Sequence, residues 1–171
     1  LPQLSTTITE TSAQALVFEG RKKFSVSFWY NTGSNLNKFQ PASSVVRLFT
    51  VRSDSPNGEY MLVDLSKTYV QYTRYNTSST ATIKSNSTAA WSGKHHLVIT
   101  YDGSEMKMYI DNVLAGSQIT DINIFSNTVM FGNSTTSSNS QFWAYAGVIS
   151  NIKIFNNAID VTEVNNLFNN L

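Results

Sequence analysis

At 171 residues the chain is long enough for one domain with a sizeable core, and its formal charge of +1 lacks the basic excess of a nucleic-acid binder. No apolar run approaches the roughly 20 residues of a membrane-spanning helix, so no membrane insertion is expected. With no cysteine in the chain, disulfides and thiolate metal sites are excluded.

The start, "LPQLSTT", has no methionine and reads as a mature or excised piece of something longer. Asn, Ser and Thr cluster in "NTGSNLN", "YNTSST", "SNST" and "GNSTTSSNS". Such side chains bond to nearby backbone and favour turns, so these clusters mark loops between short strands. Sequons at Asn76, Asn86 and Asn133 fall in the same loops.

In chain order, the first strand is predicted at Ala15–Glu19. The run Arg21, Lys22, Lys23 reads as a solvated turn. "FSVSFWY" then puts Phe24, Val26, Phe28 and Tyr30 on one face, with Trp29 on the other, the period-two pattern of a half-buried strand. Further strands are predicted at Val45–Val51, Tyr60–Leu65, Tyr69–Tyr75 and Ala81–Lys84. Trp91 stands before the next strand, placed to plug one end of the core.

"HLVITYDGSEMKMYIDNVLAGS" predicts a three-stranded meander. Asp102-Gly103 is a hairpin signal, and Asp111-Asn112 turns the chain a second time. His95 and His96 are strand neighbours, so they point to opposite faces and do not share a metal from a regular strand. Asp102 and Glu105 read as polar hairpin groups, not an acid/base pair.

Strands at Thr128–Gly132 and Val148–Phe155 follow. The chain closes on a short helix, "DVTEVNNLFNN", with Asp160 at the N-cap and Glu163 three residues later. Val161, Val164 and Leu167 are expected to face the sheets. Turn signals every eight to twelve residues argue for an all-β sandwich, here an antiparallel jelly roll with one C-terminal helix. No internal repeat or long linker divides residues 1–171.

Three stretches, "FSVSFWYNTGS", "WSGKHHLVITYDGSEMKMYIDNVLAGS" and "GVISNIKIFNNAIDVTEVNNLF", resemble successive strands of laminin-G-like, concanavalin-A-like jelly-roll domains. The resemblance covers about residues 15 to 171. It implies the fold but not one function, because this architecture serves lectins, adhesion modules, toxin binding domains and glucanases. The glucanase branch carries E-x-D-x-x-E on one strand, which this chain lacks, and no G-x-S-x-G, Walker loop or H-E-x-x-H occurs. The expectation is therefore a binding module and not an enzyme.

A jelly roll of this kind holds sugar on a groove of aromatic faces and fixed polar groups. "EYMLVDLSKTYVQYTR" is similar to the strand pair of sialic-acid-binding modules of sialidases, which makes Arg74 the match for a groove arginine. Tyr72 or Tyr60 would pack a sugar face. Arg47 and Arg52 lie nearby, and an arginine fork suits a carboxylate. The family's second arginine is absent from "FGNSTTSSNSQF". "QFWAYAG" offers a loop-end alternative at Trp143 and Tyr145, beside Phe142.

The resemblance leaves room for loop-end calcium. The loops are poor in Asp, so no ligand is assigned and no other cofactor is expected. The partners implied are a glycan and the other domains of a parent polypeptide, in a secreted, cell-surface or virion setting. The rival is a structural or protein-interaction domain. The oligomeric state does not follow from the sequence.

Overall fold

The computed structural model describes the backbone of residues 6–9, and residues 23–33, 45–52, 58–86, 92–122, 124, 128–132 and 145–170 in full. The strands are β1 (Thr6–Thr9), β2 (Phe24–Asn31), β3 (Val45–Arg52), β4 (Tyr60–Ser66), β5 (Val70–Tyr75), β6 (Thr80–Ser85), β7 (Lys94–Tyr101), β8 (Glu105–Ile110), β9 (Val113–Ile119), β10 (Thr128–Phe131) and β11 (Val148–Phe155). One helix, α1 (Val161–Asn169), follows.

Among the described residues, six strands form a front sheet in the order β1-β10-β3-β4-β5-β6, and five form a back sheet in the order β11-β2-β7-β8-β9. Every pairing is antiparallel. This is the jelly-roll sandwich with a C-terminal helix that the alternation predicts. The strand predicted at Ala15–Glu19, and Trp91, lie outside the described residues.

The alternating apolar residues meet between the sheets. Phe24, Val26, Phe28 and Tyr30 of β2 face Val51, Met61, Val63, Leu65 and Tyr72 of the front sheet, all buried. Removing a large apolar side chain from water is worth about 1.5–3 kcal/mol each, so this stripe is the main stabilising feature. Phe131 sits edge-on to Phe28, with ring centroids 5.6 Å apart.

A second, smaller cluster lies outside the back sheet. Val164 and Leu167 of α1 pack in one cluster with Val98, Tyr109 and Ile159. Val161, expected to join them, is 60% exposed. It occupies the first helical position, about 120° around the helix axis from Leu167, on the far side of Val164. The helix starts as its capping signal predicts: Asp160 accepts a hydrogen bond from the Glu163 amide at 2.9 Å.

The meander has the predicted turns. Asp102 Oδ1 accepts from the Ser104 and Glu105 amides at 2.8 and 2.7 Å. Asp111 and Asn112 both take left-handed angles, φ 49° and 64°, the two-residue turn that matches strand twist.

At one side of the sandwich, edge strands from different sheets come together. Gly116 of β9 lies so close to β6 that an added Cβ would stand 2.6 Å from Ile83 Cγ2. Beside it, Gln118 Oε1 accepts from the Thr82 amide at 2.8 Å.

Candidate functional site

Strand alternation gives the front sheet two faces. Val51 of β3, Met61 of β4 and Arg74 of β5 point inward, so their neighbours Arg52, Tyr60 and Tyr75 point outward. Register aligns these outward residues in rows across the sheet. One row runs Thr128, Arg52, Tyr60, Tyr75, Thr80. The next runs Met130, Thr50, Leu62, Thr73, Thr82. A third contains Arg47, Asp64, Gln71 and Lys84. A bulge near Leu48 restores the alternation, so that Arg47 stays outward while Leu48 and Phe49 are both in the core.

The middle row is buried although it faces outward. Thr50 and Thr73 face away from the core, yet they are only 1% and 5% exposed. The Thr73 hydroxyl is engaged: Gln71 Nε2 donates to Thr73 Oγ1 at 3.0 Å, and the Thr73 and Thr82 hydroxyls are 3.2 Å apart. Tyr60 and Tyr75 stand beside this row as a stacked pair, with centroids 4.6 Å apart and planes 17° off parallel. On its other side Arg47 Nε donates to Asp64 Oδ1 at 3.1 Å.

These groups feel one another. Burial, and then Tyr75, push the Tyr60 hydroxyl above its ordinary pKa; Arg47 pulls it down, Asp64 raises it and Arg52 lowers it again. Burial raises the Asp64 carboxyl, and the charge and hydrogen bond of Arg47 do not fully offset it. Aromatic faces, an arginine–carboxylate pair, an amide and hydroxyls thus converge on one face, the chemistry that holds a polyhydroxylated ligand.

Of the residues predicted for the site, Tyr60 and Arg47 lie on this face. Tyr72 and Arg74 do not: both are fully buried between the sheets. They share their side of β5 with Val70, whose burial in the core fixes the whole alternate set inward. Arg74 Nη2 donates to the Ile122 carbonyl at 2.9 Å, and its guanidinium lies 3.8 Å from the Tyr101 ring centre.

Tyr145 is also a core residue, packed edge-on against Tyr30 with centroids 6.5 Å apart. Its burial pushes the hydroxyl well above its ordinary pKa. Trp143 and Phe142 lie outside the described residues, as does Asn133. Sequence reasoning missed Tyr75, Asp64, Gln71 and Thr73. The available signal was the second face of β5, which holds Gln71, Thr73 and Tyr75 together.

A hollow of about 340 Å³ on the opposite side is lined by Ser27, Trp29, His96, Asn151, Lys153 and Asn170. Its aromatic surface is already engaged by the fold. Trp29 stacks on Phe168 at 5.7 Å and on His96 at 5.0 Å, and Lys94 lies 4.5 Å from its ring centre.

No curated protein sequence matches the chain. Solved structures do. The CBM40 of Ruminococcus gnavus IT-sialidase bound to α2,3-sialyllactose is similar at 12% identity and TM-score 0.73, over 93% of this chain and 89% of that one. The binding domain of botulinum neurotoxin DC in complex with SialylT is similar at 19% identity and TM-score 0.66, over 97% of this chain and 39% of that one. The binding domain of botulinum neurotoxin serotype G is similar at 16% identity and TM-score 0.68, over 96% of this chain and 40% of that one. This chain therefore spans most of the sialidase module and well under half of the toxin chains. At such identities the likeness is one of fold. Residues 5–165 match the laminin G family model described as the concanavalin A-like lectin/glucanases superfamily, and the chain belongs to that superfamily.

Proposed function

We propose that the chain is a non-catalytic glycan-binding module, recognising cell-surface or matrix glycans, sialylated ones included, on the outer face of the front sheet. The observation that carries this reading is the Tyr60–Tyr75 stack on the same face as the Arg47–Asp64 pair. Sugars pack C–H faces on aromatic rings and give their hydroxyls to fixed polar partners. The similar sialidase CBM40 is bound to sialyllactose, which supports the same class of ligand here.

A non-catalytic role is supported by the acid groups. Glycoside hydrolysis needs two carboxyls facing one bond. Among the described residues of the three rows, Asp64 is the one carboxyl, and it is tied to Arg47.

The module would belong to a larger secreted or surface protein, acting outside the cell in adhesion. Several copies would raise weak single-site binding. Among the described residues no helix is long and apolar enough to cross a membrane. A glycan array on the chain, with Tyr60→Ala and Tyr75→Ala beside it, tests the reading. Binding that both variants lose supports it. Binding that survives both moves the site elsewhere. Silence across a multivalent array favours a protein-interaction domain, a second reading drawn from exposed Val113, Leu114 and Ile119 on β9.

A further inference from the structure

The adjacent histidines of β7 sit in opposite chemical settings. His96 is buried on the outer side of the back sheet, its ring stacked on Trp29. His95 points the other way, towards its register partner Tyr30, with ring centroids 5.6 Å apart. Both ring nitrogens of His95 meet oxygen acceptors. Nδ1 is 2.7 Å from Asp111 Oδ2, and Nε2 is 2.8 Å from the Ser92 carbonyl. Neither a carboxylate nor a carbonyl donates, and a neutral imidazole has one N–H. A neutral ring would set lone pair against lone pair at one of the two contacts. The imidazolium, with two N–H groups, satisfies both.

We propose that His95 is held as an imidazolium at neutral pH and acts as a pH-operated clasp between the β8–β9 turn and the connection that enters β7. The same carboxylate ties the turn to β7: Asp111 Oδ1 accepts from the His96 amide at 2.9 Å, and the Asp111 amide donates to the His96 carbonyl at 2.9 Å. Asn112, next in the turn, donates from Nδ2 to Asn165 Oδ1 of α1 at 2.8 Å, so the clasp also steadies the helix. On the other side, Gly93 follows Ser92 and accepts from the Thr32 amide at 3.2 Å, just past the end of β2. Among the described groups facing the ring, Asp111 supplies the charge. Tyr30 of β2, and Tyr145 beyond it, keep their protons, because burial pushes both hydroxyls well above their ordinary pKa. Lys94 and His96, the neighbours on β7, point to the opposite face, where the Lys94 amine lies 4.5 Å from the Trp29 ring centre. The clasp is closed on the acidic side and opens as pH rises and the ring gives up one proton.

The experiment reads the ring-nitrogen NMR signals of the histidine-labelled chain, with His95→Gln to assign them, and amide hydrogen exchange beside them. At pH 7 the native chain should show two ring protons on His95 and one on His96. Raising the pH until His95 loses a proton should lower the exchange protection of the Asp111 amide roughly tenfold or more, the worth of a charge-assisted hydrogen bond. Amides in the middle of β2 and β7 should keep theirs. Asp111→Asn offers an amide that donates to Nδ1 while its oxygen still accepts from the His96 amide, so a neutral ring then satisfies both contacts. In that variant His95 should carry one proton at pH 7, and the turn's protection should no longer follow pH. Thermal melts check that the variant is folded, and the native titration stands without it.

A single ring proton on His95 in the native chain at pH 7 overturns the charged state and the clasp with it. Two protons at pH 7, with turn protection that stays constant while one of them is lost, overturn the clasp. So does a ring that keeps both protons until the sheets themselves unfold, because the turn then never opens alone. Two ring protons persisting at pH 7 in folded Asp111→Asn overturn Asp111 as the group that holds the charge.

Discussion

Arg74 lies over Tyr101 inside the sandwich, with its guanidinium carbon 3.8 Å from the ring centre and no ion pair to a carboxylate among the described residues. Its charge is met by the Ile122 carbonyl, by Met61 Sδ at 3.7 Å and by the two rings, Tyr101 and Phe24; Nε has no partner. A buried cation so partnered gains little over an apolar residue of similar volume. Arg74→Met should therefore keep stability within about 1 kcal/mol of the native chain. Arg74→Ala, which leaves a cavity, should cost about 3 kcal/mol in urea unfolding. Glycan binding should persist in Arg74→Met; its loss in a folded variant would return this residue to the site.

His96 gives a pH dependence. It is 1% exposed, with Nε2 2.8 Å from Ser27 Oγ and Nδ1 without a partner. Burial drives its pKa from 6.5 down to about 4, with Asp111 opposing and Lys153 assisting. The neutral ring is thus the form the fold accepts. Below pH 6.5 the unfolded chain takes up a proton that the folded chain refuses until about pH 4, so stability falls on acidification across that window. The full effect is about 3 kcal/mol. Urea unfolding at pH 7 and pH 4.5, native against His96→Gln, isolates it. The difference between the two proteins should shrink on acidification, and a constant difference would rule the effect out.

The Asp102 turn should be a separable local element. One carboxylate oxygen collects the Ser104 and Glu105 amides and the Ser104 hydroxyl. Burial is the largest single influence and opposes the ionised form, but these hydrogen bonds and Lys107 together outweigh it and hold the pKa below the ordinary range. The stabilisation is present above the unfolded carboxyl's pKa and disappears as pH falls through the lower, folded one. Asp102→Ala should cost about 1 kcal/mol at neutral pH, and Asp102→Asn less, since its amide oxygen still accepts. Chemical denaturation of the three proteins measures both.

The contact of Gly116 with Ile83 has a steric test. An added methyl would overlap Ile83 Cγ2, which must then move. Gly116→Ala should destabilise by about 1–3 kcal/mol, and pairing it with Ile83→Val should recover part of that loss. Additive effects in the double variant would show that the two positions do not touch.

Much of the fold was legible because alternation is a local property. "FSVSFWY" marks β2 to within a residue, the Asp-Gly and Asp-Asn turns fix the meander, and Asp160 marks the helix start. β1 was not legible, since Thr6–Thr9 has one apolar residue and no pattern to read. The site was legible only in pieces. Alternation separated Tyr72 and Arg74 from Gln71, Thr73 and Tyr75. Which set faces the core is decided by the partner strands: Met61 and Val63 flank the Arg74 side. The Tyr60–Tyr75 stack and the Arg47–Asp64 pair join residues of neighbouring strands, and register does not show in a single strand read alone.

The bond from Thr82 to Gln118 bears on how the protein behaves when crowded. The outer edge of β6 is where another chain would add a strand, and such open edges seed aggregation. Here a side chain of β9 already occupies one of the amides that an incoming strand would need, and the approach at Gly116 brings the two edges together. That side of the molecule offers a poor template for stacking. A module displayed in many copies would keep its front face available instead of losing it to neighbours.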